Sequence, residues 1–312
     1  MTEFYKKLVQ AVGKENVKTE EAMKNHTTFR VGGPAAYYVS PSNAAELGEV
    51  IRLCREEGIS WFVLGNGSNL LVGDQGFDGV ILSMTEGFSW CEADPETGRI
   101  RAGSGTILGT IARAAMEASL TGLEFASGIP GTLGGAVVMN AGAYGAEMCQ
   151  VLEWVKVMTQ EGEEKILACE ELELGYRTSC ILRKGYIVTE ASLKLAKGDR
   201  EEILTVMRDL AARRKAKQPL EYPSAGSTFK RPEGYFAGKL IDEAGLRGFC
   251  VGGAQVSEKH CGFVINRNQA SASDIMELCR QVRERVRERF GVELEMEVKV
   301  IGNFPDAKEI KQ

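Results

Sequence analysis

The stretch SGIPGTLGGAVVMNAGAYG, Ser127–Gly145, holds six glycines (128, 131, 134, 135, 142 and 145) and no charged residue. A second loop, LGNGSNLLVG at Leu64–Gly73, is built the same way. Glycine leaves backbone N–H groups accessible and tolerates positive φ. Successive N–H groups, above all ahead of a helix, form a concavity suited to an anion. With no Lys or Arg in either loop, the anion has to be held by backbone alone, which suits a buried pyrophosphate already tied to a large cofactor. The alternative is that the glycines serve turns and close packing. For one loop that reading is the stronger. Two such loops in one chain bring a bound dinucleotide level with it. Which dinucleotide stays open on these grounds. No G-x-G-x-x-G opens a helix after a strand, GSGTILG (Gly103–Gly109) carries one residue too many, and there is no Walker A motif.

The rest of the chain supplies the frame for these loops. The 312 residues are enough for two domains, and the apolar share of 44% supports an ordinary core. Residues 3–13 predict a short amphipathic helix. AAYYVSP, then a capped helix from Ser42 or Asn43 to Gly58, then SWFVLG, read as β-α-β. A helix is expected over 106–120, an antiparallel meander over 151–195, and a strong helix running into Pro219. Beyond it the pattern predicts a short helix near 236–244, strands near 253–256 and 262–266, a long helix at 272–290 and strands at 293–301. The tail after Gly302 is polar and expected to fray. The class is α+β, divided into 1–200 (subdomains of about 1–78 and 79–200) and 201–312.

Several functions are disfavoured by charge and composition. The net charge of −5 gives no footprint for nucleic acid. Arg280–Phe290 alternates charge sign along a helical pattern, which reads as a solvated face. The N-terminus does not read as an export signal, and no apolar run reaches the length of a membrane span. The eight cysteines form no C-x-x-C pair and are expected to be reduced thiols of a cytoplasmic protein. His260 and Cys261 are adjacent but lack further ligands, so no metal site is expected.

Ser227, in PSAGSTFKRP, sits among small residues that let other atoms approach its hydroxyl. A hydrolase nucleophile needs a base, and His26 and His260 are the only histidines. No G-x-S-x-G elbow occurs. The serine therefore calls for another kind of chemistry.

NHTTFRVGGPA (Asn25–Ala35), LGNGSNLLV, GIPGTLGGAVVMNAGAYG, GYRTS (Gly175–Ser179), KQPLEYPSAGSTFKRP (Lys217–Pro232), AGKLIDEAGLRG (Ala237–Gly248), GGAQVSEKHCGFVIN (Gly252–Asn266) and LEMEVKVIG (Leu294–Gly302) occur in this order. Together they resemble the UDP-N-acetylenolpyruvoylglucosamine reductase (UDP-N-acetylmuramate dehydrogenase) family over about residues 25–302. The resemblance implies an FAD-binding fold of the vanillyl-alcohol-oxidase type in two subdomains, with a C-terminal substrate-binding domain. It implies non-covalent FAD, with NADPH as hydride-donating co-substrate and UDP-N-acetylglucosamine enolpyruvate as substrate. The product would be UDP-N-acetylmuramate, a precursor of peptidoglycan.

On that resemblance the first loop contributes Gly65, Asn66, Gly67, Ser68 and Asn69 to FAD. The second contributes Gly128, Ile129, Pro130, Gly131, Gly134 and Gly135, followed by Asn140, Ala141 and Gly142. Hydride addition to the enolpyruvyl double bond leaves charge next to the carboxylate, and that carbon then needs a proton. The resemblance makes Ser227 the proton donor and puts Arg177 and Glu297 on either side of the charge. A weak acid suffices because the carbon of such an enolate is more basic than an alkoxide. Tyr176, Lys217, Gln218 and His260 fall at family positions near the UDP-sugar. Arg231 stands where some members have asparagine, and its cation is placed to reach the diphosphate. Lys299 stands where arginine is common, keeping the charge but not the fork. Only 50 positions separate Arg177 from Ser227, so the chain resembles the shorter class, without the extra substrate-covering loop. Competing readings are a flavin oxidase on the same scaffold, a flavin-free serine hydrolase, and a non-catalytic nucleotide sensor.

Overall fold

A computed structural model describes residues 2–305. Of the tail expected to fray after Gly302, Asn303 is bonded through its amide to Gly76 O at 2.8 Å, and residues 306–312 lie outside the described residues. The chain forms two compact units that are interleaved in sequence. One comprises Met1–Thr19, Tyr37–Asn66 and Gly79–Arg214; the other comprises Glu20–Ala36, Gly67–Asp78 and Lys215–Gln312. A linear division at residue 200 does not express this interleaving, because two early segments of the chain are built into the core of the later part.

In the first unit, helix α1 (Glu3–Val12) is capped by Thr2, whose hydroxyl accepts the Tyr5 amide at 3.1 Å. Its residues Phe4, Leu8 and Val12 recur every four positions and are buried. Helix α2 (Ala44–Glu56) is capped by Asn43, which accepts the Glu46 amide at 3.0 Å. Both helices share a core with strands of a sheet ordered Val17–Ala22, Pro34–Val39, Phe77–Ser83, Trp61–Leu64. The strands before and after α2 are therefore not neighbours. Phe77–Ser83 lies between them, and Trp61–Leu64 runs parallel to it.

A five-stranded antiparallel sheet follows, ordered Glu164–Ala168, Leu152–Met158, Ile187–Lys194, Arg99–Gly103, Cys91–Asp94. Helices α3 (Leu108–Glu117) and α4 (Leu133–Val138) share its core through Ile111, Leu133, Val155 and Leu193. The expected meander over 151–195 is present, but a 3₁₀ turn and helix α5 (Cys180–Lys184) interrupt it. That interruption carries GYRTS. Helix α6 (Arg200–Lys217) buries only Ile203 fully.

The second unit holds helix α7 (Ala237–Glu243), an antiparallel sheet of Cys250–Val251, Ala254–Val256 and Val264–Asn266, and helix α8 (Ala272–Phe290). Of the strands expected over 293–301, only Lys299–Ile301 forms, parallel to Leu70–Val72. Met296 makes a single bridge to Phe229. Phe29, Val31 and Leu71 join Leu240, Ile275, Val282 and Leu294 in one core. Helix α8 buries Ile275, Leu278, Cys279, Val282 and Val286. Its opposite face is solvated, with Arg280 bridging Glu277 and Glu284. Ser271 and Asp274 form its capping box, and Gly291 ends it at φ +68°. Asp74 completes the cap, accepting from the Ala272 and Ser273 amides at 2.7 and 2.8 Å and from the Ser273 hydroxyl at 2.6 Å. Among the described residues no helix is long and apolar enough to cross a membrane.

Loss of a carboxylate cap costs about 1–2 kcal/mol. Asp74→Ala is therefore expected to lower the unfolding free energy by that amount, read as a lower midpoint in urea unfolding followed by circular dichroism. An unchanged midpoint would show that Asp74 does not hold α8.

Candidate active site

The two glycine loops meet within the first unit. A Cβ at Gly65 would stand 2.4 Å from the Thr132 hydroxyl, which is 2% exposed, so no side chain fits there. Next to it the Asn66 side-chain amide donates to the Pro130 carbonyl at 2.6 Å. The second loop is held from behind by residues 104–108. Leu108 N donates to Gly131 O, Leu133 N to Thr106 O and Gly134 N to Ser104 O, at 3.0, 2.9 and 2.8 Å. GSGTILG, which fails as a dinucleotide fingerprint, is thus the support of the loop.

Much of the second loop's backbone is engaged inside the protein. The amides of Ile129, Asn140 and Ala141 donate to Ala126, Val137 and Ala136. The first loop differs: among the described residues none of the amides from Gly65 to Asn69 donates to a backbone carbonyl. A Cβ at Gly135, at the start of α4, would meet only the Thr132 hydroxyl, at 3.8 Å. Within the first unit, the unengaged amides of Gly65 and Asn66 and the open glycine surface at Gly135 fit an anionic cofactor.

The sequence suggested that these loops work without a cation, and the structure adds one. The Arg214 side chain, from α6, lies against Gly128, with Nη1 3.1 Å from where a Cβ would stand. Burial holds its guanidinium below the usual range, with Tyr144 opposing. Tyr144 donates to Leu210 O at 3.2 Å, a second tie between loop and helix. Nothing in the sequence of α6 distinguishes Arg214 from its solvated neighbours Arg208 and Arg213.

Asn140 is 1% exposed, with its side chain turned into the protein. It accepts the Cys149 amide at 3.0 Å and donates to Glu147 and to the Gly175 carbonyl at 2.7 and 3.3 Å. The last bond ties the second loop to the turn that presents Tyr176 and Arg177. In that turn Gly175 and Thr178 exchange backbone bonds, and Arg177 adopts φ +54°. The left-handed region costs a non-glycine residue roughly 1–2 kcal/mol, and such strain persists where the surroundings impose it. The Arg177 guanidinium lies 5.3 Å from the Tyr176 ring centroid.

The remaining candidates lie in the second unit. Ser227 is exposed, while its neighbours Thr228 and Phe229 are buried. Thr228 N donates to Gly262 O at 2.9 Å, and Glu297 N donates to Thr228 O at 2.9 Å. Together with the Phe229–Met296 bridge, these bonds set Ser227 and Glu297 on adjacent antiparallel segments. The Gly262 end leads to His260, whose Nδ1 accepts the Gly262 amide at 3.1 Å, leaving the proton of the neutral ring on Nε2. Burial, reinforced by the charges of Arg247 and Lys217, lowers the pKa of His260. Lys217 and Gln218, at the end of α6, therefore belong to the same neighbourhood as His260. Burial pushes the adjacent Cys261 thiol up to about 11, so it is no nucleophile at neutral pH.

Residues 218–301 match the C-terminal domain of UDP-N-acetylenolpyruvoylglucosamine reductase, and residues 35–168 match an FAD-binding domain. A UDP-N-acetylenolpyruvoylglucosamine reductase of Agathobacter rectalis is 50% identical over 311 residues, covering 96% of this chain and 99% of its own. The chain belongs to the UDP-N-acetylenolpyruvoylglucosamine reductase family. A Clostridioides difficile reductase of the same name is 49% identical over 300 residues, covering 96% of this chain and 98% of its own. The crystal structure of the Thermus caldophilus reductase superposes with a TM-score of 0.77 at 41% identity, covering 89% of this chain and 97% of that one. The expected α+β architecture, an FAD-binding domain joined to the reductase C-terminal domain, is the one found, and the protein is an FAD-dependent oxidoreductase.

Two outcomes test this site. Gly65→Ala is expected to lower FAD affinity about tenfold or more by forcing the loops apart, an overpacking cost of about 1–3 kcal/mol. Thr132→Ala in the same chain is expected to recover part of it, read as flavin absorbance per chain and by FAD titration. The second concerns pH. The unfolded chain protonates His260 from about pH 6.5 downward, while the folded chain resists. Its contribution to stability is therefore present above that pH and lost as pH falls through the lowered folded value. His260→Gln is expected to flatten that limb in a series of denaturation curves.

Proposed function

We propose that the chain reduces UDP-N-acetylglucosamine enolpyruvate to UDP-N-acetylmuramate, with NADPH as hydride donor, in the cytoplasmic supply of peptidoglycan precursor. The observation that carries this reading is the placement of Ser227 next to Thr228, whose carbonyl accepts the Glu297 amide, on adjacent segments inside the reductase C-terminal domain. It is supported by similarity to reductases of that name along almost the whole chain.

Bound FAD would supply the hydride-transfer chemistry, from NADPH to the terminal carbon of the enolpyruvyl double bond. In the first unit the backbone amides of Gly65 and Asn66 and the open face at Gly135 would hold its pyrophosphate, with the Arg214 charge at Gly128 lowering the cost of bringing a polyanion there. Arg177 grips the substrate carboxylate with its forked guanidinium. As charge develops on the carbon next to that carboxylate, Ser227 Oγ gives its proton to that carbon, and the exposed hydroxyl regains one from solvent. Glu297, with Arg177, stabilises the enolate. Lys217, Gln218, Tyr176, Arg231 and the Nε2–H of neutral His260 bind the UDP-sugar. A donor of this kind needs no catalytic base, which is why a serine suffices without a paired histidine.

The test is spectral. Without oxygen, the flavin colour is expected to bleach with NADPH and return with the enolpyruvyl UDP-sugar. Return only with oxygen would make the protein an oxidase. Ser227→Ala is expected to keep the NADPH half-reaction within about twofold and to slow reoxidation by the sugar at least 10²-fold, the scale of positioned proton transfer. Ser227→Cys is expected to retain more than Ala. Equal loss in both half-reactions would remove Ser227 from proton transfer.

A further inference from the structure

Phe236 occupies the N-cap of α7 and makes no side-chain cap bond. Ser, Thr, Asp or Asn is preferred there because a short polar side chain can accept a first-turn amide. The ring is not in the core either: it is 58% exposed, and the neighbouring Tyr235 is 49% exposed. An aromatic residue that gives up a cap and stays in solvent breaks a local rule without a packing gain, a pattern that points to function.

What the ring does touch is a cation. The Arg231 guanidinium stands over it, 4.0 Å from the centroid. Arg231 ends the run of residues that begins at Ser227. Along that run Phe229 is buried and Lys230 is paired with Glu295, while Arg231 is exposed. The start of α7 is anchored to the same neighbourhood. A Cβ at Gly238 would stand 3.1 Å from Gly262 N and 3.4 Å from the His260 ring, an approach that glycine permits. Gly262 in turn accepts the Thr228 amide. The ring, His260 and Ser227 therefore sit on one braced frame. Ser227 and Arg231 are four residues apart, about 13 Å at full extension. That reach accommodates a sugar with its enolpyruvyl ether at one end and its diphosphate at the other.

We propose that Phe236 is a positioning residue that seats Arg231 for the diphosphate of a uridine-diphosphate sugar. A planar guanidinium stacked on a ring keeps its N–H edges directed outward, where two phosphate oxygens can be met together. This inference rests on the reductase reading and adds to it what orders the substrate-side cation.

The decisive variant is Phe236→Ser, which removes the ring and supplies a cap. FAD-loaded wild type, Phe236→Ser, Phe236→Trp, Arg231→Ala and the Ser/Ala double variant are titrated with UDP and with uridine by calorimetry, and their melting temperatures are recorded. Phe236→Ser is expected to melt no lower than wild type and to bind UDP about tenfold more weakly. Uridine binding should be nearly unchanged. In turnover the loss falls on KM for the UDP-sugar rather than on kcat. Phe236→Trp is expected to restore binding, and the double variant to lose no more than either single one. Phe236→Ser binding UDP as wild type does, or losing uridine equally, overturns the seat. So does a fall in melting temperature that accounts for the binding loss. A wild type that binds no UDP overturns the reductase reading together with this inference.

Discussion

The contact between Gly65 and Thr132 is the constraint on which the cofactor side of the molecule depends. Two loops nearly 70 residues apart in sequence come within the radius of one methyl group, and the Asn66–Pro130 bond locks the approach. Because loop meets loop directly, neither needs a long side chain, and the Gly65 and Asn66 amides are not taken by backbone carbonyls. The Ser104–Leu108 segment then acts as a splint behind the second loop. An FAD-dependent oxidoreductase gains from such rigidity, since preorganised dipoles cost no rearrangement when charge moves.

Polar chemistry is distributed by a similar economy. Arg177 is held in a strained backbone turn tied to the second loop through Asn140, while Ser227 is exposed at a run whose other residues are buried or paired. In the proposed reaction both groups stand on backbone that hydrogen bonds hold in place on each side. A serine placed this way can serve as a weak acid, and no companion base is required.

Local signals in the sequence carried the helices. Ser271, Asp274 and Gly291 bound α8 at both ends, and the burial of Ile275, Leu278 and Val282 follows the spacing. Strands near 293–301 were less legible because their partners are remote: Leu70–Val72 for one and Phe229 for the other. The glycine loops announced an anion, yet their mutual contact is a long-range fact that spacing does not encode. Arg214 was invisible for a related reason. On a helix rich in Arg and Lys, only packing against Gly128 distinguishes one cation from the rest. Asn140 carried a family signature, and the structure shows its side chain engaged as a joint inside the protein.

The core of the second unit joins Phe29, Val31 and Leu71 to Leu294 and Val298. During synthesis the chain emerges from its N-terminus at about 5–20 residues per second. Residues 20–36 and 67–78 then wait many seconds for the partners that bury them, Asp74 among them with its helix still unmade. Once Arg214 has been made the segments of the first unit are complete, while Phe29 and Leu71 still lack the partners that bury them, such as Leu294 and Val298. The order of translation is therefore not the order of folding, and a nascent chain of this design has its greatest need of chaperone protection between completion of α6 and arrival of the last strand.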